Sequence, residues 1–355
     1  GLAGSGRHKF GTGGRRAMAD KLKWGILYSG DNMALDEVVA SAKKAEDAGA
    51  HSLWVTELWR DAFVPLAAIA GACSKVRLGS AVATFARAPM YAELSAMSLA
   101  EMTKGNFVLG LGTAPLEWNQ NWHGVDYKKP ATRMREYVEC IREMWTANPM
   151  QPISYKGEYF DVKNYIRYLA APYEDIPIYL AAVQPGMLRL AGSHADGLIV
   201  NSLNTTKYFN EIVHPNIEAG LDKAGRSKND FEICSVKCCA VNKDAKQARQ
   251  MAKHVIAFYS TVPYFDIVLD PMGFTEAKLI IRDCMARMDI PGMLNAVTDD
   301  MIDALVLAGT PDDVRKQLDK FDGLFETVMF LTPFFAIDPA ESKANHDAII
   351  DTFAA

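Results

Sequence analysis

Eight short apolar runs, each compatible with a buried strand, recur along this chain and alternate with stretches of helical periodicity. They cover residues 23–29, 52–57, 76–84, 107–113, 176–183, 197–201, 231–241 and 327–332. Several are nearly continuous in hydrophobicity rather than alternating, as parallel strands covered on both faces require. The intervening segments read as crossover helices. From Leu35 to Ala48, Leu35, Val38, Val39, Ala42 and Ala45 fall at helical spacing, and Gly49 follows as a stop signal. From Pro311 to Phe321, Thr310 is the expected N-cap, with Pro311 at the first helical position and Asp312 and Asp313 near the positive helix end. Eight such units in 355 residues predict an α/β fold of the (β/α)8 TIM-barrel type rather than a doubly wound open sheet.

In such a barrel, chemistry sits on the loops that follow the C-terminal strand ends, which places Glu57, Thr84, Thr113, Val183 and Asn201 at the mouth. The segment FVLGLGTAPLEWNQNWHG, residues 107–124, is the densest of these regions: a strand breaks at a Gly/Thr turn into a loop rich in aromatic and amide side chains. Two insertions interrupt the rhythm. After the fourth strand, residues 149–175 contain ISYKGEYFDV, which predicts a small hairpin against the pocket. Before the eighth, residues 262–295 are rich in Met, Phe, Tyr, Pro and Gly, which suggests a mobile lid or an oligomer surface.

Composition narrows the function classes. With 49% hydrophobic and 23% charged residues, a net charge of −5 and no basic stripe, the chain lacks the electrostatic footprint of a nucleic-acid binder. The six cysteines show no paired CxxC spacing; Cys234, Cys238 and Cys239 lie in an apolar strand, where cysteine acts as a small hydrophobe, so no metal is expected. Residues 1–17, rich in Gly and basic residues, predict a disordered tail or an expression scar, and residues 18–355 a single barrel domain. No uncharged run of membrane-spanning length occurs, so a cytoplasmic location without membrane association is expected.

The segments SLWVTELWRDAFVPLAAIA, VRLGSAVATFARAPMYAELSAMSLAEMTKGNFVLGLGTAP, NWHG with RMREYVECIREMW, and IPIYLAAVQPGMLRLAGSHADGLIVN resemble the bacterial-luciferase-like superfamily of flavin- and deazaflavin-dependent oxidoreductases. The likeness runs from Leu22 to Phe353 and is greatest to the coenzyme F420-dependent branch. It implies a luciferase-like TIM barrel that binds a dissociable reduced cofactor, F420 or FMN, for hydride transfer to, or oxygenation of, a small organic substrate. It further implies a homodimer and a separate flavin or F420 reductase as partner. The rival reading is a barrel that has lost flavin chemistry and binds a ligand or protein partner, because the usual Gly-Pro-cation phosphate signature is replaced around Gln184 and Gly186.

The resemblance also assigns roles. A non-prolyl cis peptide supporting the cofactor ring maps to Ala81-Val82. Thr84 and Thr113 face the polar ring edge or serve as strand caps. Gly110 and Gly112, on either side of Leu111, remove side chains and so open the backbone beside Thr113 to a ligand. Val183, Gln184, Pro185, Gly186 and Met187 would carry the phosphate at a helix N-terminus, with Asn201 completing the contacts and Arg189 as the nearest cation. Glu57 and Trp59 are candidate catalytic residues, or else a salt bridge and a packing contact. His123 is the candidate proton carrier in the NWHG loop, or a loop-stabilising residue.

Overall fold

The computed structural model describes residues 22–29, 33–169, 173 and 175–354; the expectation for residues 1–17 lies outside them. Eight parallel strands close into a barrel: Lys23–Tyr28, Ser52–Val55, Arg77–Ser80, Phe107–Gly112, Ile178–Ala182, Gly197–Val200, Glu232–Val241 and Thr327–Leu331. Each hydrogen-bonds to its neighbour, and closure comes from pairing of the first strand with the eighth, Lys23 opposite Thr327. All six residues of the fourth strand are buried, as are all four of the second, which explains why these segments lack alternation.

The segment expected as one strand over 76–84 is interrupted. Arg77–Ser80 pairs with Phe107 and Val108, the chain then passes through a cis peptide at Ala81-Val82, and Ala83–Thr84 resumes beside Leu111 and Gly112. The helix Leu35–Asp47 buries Val38, Ala42 and Ala45 and ends at Gly49, whose φ of 90° a residue with a Cβ adopts only with strain. Pro311–Leu318 forms the expected helix with a reciprocal capping box, Thr310 Oγ1 accepting from Asp313 N while the Asp313 carboxylate accepts from Thr310 N. Replacing Thr310 by Ala is expected to cost about 1 kcal/mol, read from the urea midpoint.

The hairpin forms, Ile153–Lys156 antiparallel to Asp161–Tyr165, but it packs on the outside of the barrel. Ile153 joins Cys140, Met144 and Ala147 in a small separate cluster, and the buried Glu136 carboxylate accepts the N–H groups of Glu158 and Tyr159 in its turn. The helix Pro130–Thr146 captures the hairpin there, away from the pocket. The insertion before the eighth strand is ordered helix rather than open loop, with Thr275–Ala286 and Ile290–Ala296 its longest elements. Asp266 and Asp270 bind Lys278, Asp266 binds Arg282, and Phe265, Val268, Leu269, Ile281 and Met293 are buried. A further strand, Leu307–Gly309, extends the sheet beside Cys239–Val241. All six cysteines are buried thiols.

The N-terminal end of the barrel is closed by a polar cluster. Glu232 accepts three hydrogen bonds from Arg77, at 2.8–2.9 Å, and one each from Tyr179 Oη and Thr327 Oγ1, both at 2.7 Å. These four residues sit at the starts of the third, fifth, seventh and eighth barrel strands, so one carboxylate ties together four strands.

Candidate active site

At the opposite, C-terminal end the strands open into a cavity of ≈ 350 Å³. Its floor is aliphatic: Leu27, Ile199, Val236 and Leu331 point up from four barrel strands. One side is the Ala81-Val82 cis peptide. Its carbonyls are held from both flanks, Ala81 O accepting from Thr56 Oγ1 at 2.8 Å and Val82 O from Glu57 N at 3.2 Å. Gly112 meets Val82 from the next strand; a Cβ there would lie 2.4 Å from Val82 Cγ2. Gly110, read in the sequence as opening the backbone to a ligand, instead makes room for the barrel wall, since its Cβ would fall 1.9 Å from Ser80 O.

The polar wall is uncharged. Thr113 Oγ1 accepts from Tyr127 Oη at 3.0 Å, leaving the threonine hydroxyl proton free to face the cavity. Both amide heteroatoms of Asn201 are buried without a hydrogen-bond partner; the Oη of neighbouring Tyr208 donates instead to Val183 O at 2.6 Å. Asn201 is held from behind by Asn204, whose Nδ2 donates to Asn201 O and to Val236 O. Tyr259, Tyr264 and Phe265 close the remaining side. Burial raises the Tyr127 phenol despite the opposing bond to Thr113, pushes Tyr264 up to about 12 and lifts Tyr259 well above the usual phenol range. All three therefore stay protonated donors at neutral pH.

The loop after the fifth strand runs into the helix Pro185–His194, whose N-terminus borders the cavity at Val183, Gln184 and Met187. Gln184 does not cap it: its Nε2 donates to Tyr264 O at 3.1 Å. Pro185 has no N–H, but the amides of the next residues belong to the uncapped first turn, and a Cβ at Gly186 would meet nothing within 4 Å. Arg189 supplies no charge to the cavity; it is exposed and donates to Asn216 Oδ1 at 2.5 Å.

Of the residues expected at the cofactor, Ala81, Val82, Gly112, Thr113, Val183, Gln184, Met187 and Asn201 line one cavity. Pro185 and Gly186 stand just outside on the first helical turn, and buried Thr84 donates its N–H to Glu57. The three candidate catalytic residues lie outside the lining. Glu57 binds Arg87 and the Thr84 amide, and Asp61 joins the same guanidinium, so the Glu57 carboxylate anchors the loop. Trp59 is 65% exposed, edge-on to Phe334, and lines a separate hollow that shares Ser29 and Thr56 with the cavity. His123 is exposed at the end of a short π-helix in which Trp118 and Trp122 stack on each other at 4.8 Å. Buried Asn119 clamps that loop by donating to Thr113 O and Pro115 O.

Ser29, Thr56, Tyr127, Ser202, Tyr259 and Tyr264 are the polar lining residues that sequence reasoning missed. The aromatic richness of residues 262–295 was a signal for Tyr264. Tyr127 and Tyr259 carry no local signal, because one sits in a polar loop and the other on an ordinary amphipathic helix.

The sequence profile described as luciferase-like monooxygenase matches residues 17–325. The chain is 30% identical over 309 residues to the 5,10-methylenetetrahydromethanopterin reductase of Archaeoglobus fulgidus, across 84% of this chain and 90% of that one. The solved coenzyme F420-dependent tetrahydromethanopterin reductase of Methanopyrus kandleri has a TM-score of 0.80 at 25% identity, over 94% of this chain and 99% of its own. The oxygenating constituent of 3,6-diketocamphane monooxygenase of Pseudomonas putida, solved with FMN, shares the fold with a TM-score of 0.66 at 17% identity, over 94% and 98%. With that profile spanning most of its length, this chain belongs to the luciferase-like monooxygenase family.

Proposed function

We propose that this protein is an oxidoreductase that binds reduced coenzyme F420 as a dissociable cofactor and reduces a small organic substrate. The observation that carries this choice is the helix N-terminus at Gln184–Met187, which is uncapped, open to solvent at Gly186 and without a cation. FMN ends in a phosphate monoester with a charge near −2, for which backbone dipoles alone are a weak counterpart. F420 carries its phosphate as a singly charged diester whose tail continues outward, and an open, cation-free helix end suits that group better. The similarity to a reductase at 30% identity supports the same choice.

The remaining lining fits a planar heterocycle with a polar edge. Val82 and the Ala81-Val82 peptide form a firm bed, while the Thr113 hydroxyl and the unpartnered Asn201 amide offer donors and an acceptor to that edge. When bound, reduced F420 supplies a hydride. Phe265 and the aliphatic floor exclude water, while Tyr264 holds a proton at Oη and the Thr113 hydroxyl, with Tyr127 Oη donating to its oxygen, presents another to the cavity. With no ionised group in the lining, delivery of the proton that the reduced product requires falls to these hydroxyls or to solvent.

Parallel fluorescence titrations with F420 and FMN, each oxidised and reduced, test the reading. F420 is expected to bind at micromolar concentration or tighter, and FMN at least about ten-fold more weakly. A preference for reduced FMN would redirect the assignment to oxygen activation, and binding of neither would remove the redox reading.

A further inference from the structure

The sixth barrel strand leaves the sheet at Val200, its last residue in register with the seventh strand, opposite Ser235. Residues 201–205 continue as loop, yet Ser202, Leu203, Asn204 and Thr205 are all buried. Asn201 and Ser202 line the cavity. Beyond Val200 two side chains take over the work of the ladder. From the loop, Asn204 Nδ2 donates to Val236 O at 3.0 Å and to Ser235 Oγ at 3.2 Å on the seventh strand, and back to Asn201 O. From the strand, Lys237 Nζ donates to Asn204 O at 3.0 Å.

Lysine is an unfavourable residue for that position. The Lys237 side chain is fully buried on the strand face opposite Val236, away from the cavity, with Nζ 3.4 Å from the centroid of the Phe321 ring. Burial pushes its pKa well below the usual lysine range. Packing alone would be served by methionine, which is about as long and has no amine to desolvate. What the amine adds is the bond to Asn204 O, so the role of Lys237 lies in the loop that it holds.

We propose that Lys237 and Asn204 are a positioning pair, which locks residues 201–205 onto the seventh strand and so fixes the Asn201 amide against the polar edge of the bound cofactor. Neither side chain lines the cavity; both act through Asn201, which does. The inference rests on the reading of the cavity as an F420 site for its effect on affinity, whereas the locking of the loop does not depend on that reading.

The test combines F420 titration with hydrogen–deuterium exchange of the full chain without cofactor. Lys237→Met is expected to weaken F420 binding at least about ten-fold. Its melting temperature should stay at or above that of the wild type, because the cost of burying the amine disappears with it. Exchange is expected to quicken by about ten-fold or more in the peptide covering residues 201–209 and to stay unchanged across Phe107–Gly112. In an Asn201→Ala background, Lys237→Met should weaken F420 binding no further, since the pair acts through that amide. Asn204→Leu removes the other half of the pair; it should give the same quickened exchange and the same loss of affinity, and it carries the test if Lys237→Met does not fold. A lowered melting temperature with wild-type F420 affinity would make Lys237 a packing residue and overturn the proposal. Wild-type exchange over residues 201–209 in a folded variant, or full additivity with Asn201→Ala, would do the same. Failure of the wild-type protein to bind F420, with the exchange difference intact, would overturn the redox reading alone.

Discussion

Glu232→Gln is expected to lower the stability of this barrel by about 3 kcal/mol at neutral pH. Burial by itself raises the Glu232 pKa, but Arg77 and the hydrogen bonds from Tyr179, Thr327 and Arg77 outweigh it and hold the carboxyl at about 2, against an ordinary 4.5. At about 1.4 kcal/mol for each tenfold change in proton affinity, that depression contributes roughly 3 kcal/mol. Because the folded-state value is lowered, the contribution is complete above about 4.5 and is lost as the pH falls from there towards 2. His51, beside Arg77 in the same cluster, adds a second acid sensitivity in a different window. Burial and then Arg77 push it down to about 4, so it is neutral in the fold and takes up a proton on unfolding between 6.5 and 4. Urea midpoints measured at pH 7, 5.5 and 3 should therefore show a variant that is weaker at neutral pH, still loses stability between pH 7 and 5.5, and loses less than the wild type below 4.5, where Asp266 and the other paired carboxylates still titrate. A deficit under about 1 kcal/mol at pH 7 would mean that the Arg77–Glu232 cluster is no more than a surface pair.

Gly112→Ala is expected to raise the dissociation constant for F420 at least about ten-fold while leaving the barrel folded. The new Cβ would sit 2.4 Å from Val82 Cγ2, and valine has few rotamers with which to escape. The backbone around Val82 is pinned as well, by Thr56 Oγ1 at Ala81 O and by Glu57 N at Val82 O. The overlap is therefore relieved by moving the Val82 side chain, and Val82 lines the cavity. Overpacking of this kind costs about 1–3 kcal/mol, and here the cost falls on the bound state that needs the bed undistorted. Fluorescence titration with the melting temperature measured in parallel separates the two effects. Affinity equal to wild type would show that the ligand does not rest on Val82.

The loop positions show how far reading along the chain extends. Thr113, Val183 and Asn201 were legible because a strand end in a (β/α)8 barrel has only one place to point, and all three reached the cavity or its rim. Glu57, Trp59 and His123 stand on loops after the same strand ends yet turn elsewhere. What diverted Glu57 was Arg87, thirty positions downstream and unexceptional in the sequence. What diverted the NWHG loop was the stacking of Trp118 on Trp122 and the buried clamp of Asn119, contacts that satisfy the loop within itself. The aromatic content of residues 262–295 includes Tyr264 and Phe265, which line the cavity, whereas its Pro and Gly content concealed helices held by Asp266, Lys278 and Arg282.

The sequence by itself determined the barrel, its mouth and the strands that supply the cavity floor. Those properties follow from period and burial, which are summed over many residues and survive any one exception. Only the tertiary structure decided which polar groups face the cavity: it spent Glu57 and Asp61 on Arg87, left the Asn201 amide without a partner among the described residues, and brought Tyr127, Tyr259 and Tyr264 together from three separate elements. A hydrogen bond or ion pair is chosen by distance and angle between groups remote in the chain, and no local pattern encodes that choice.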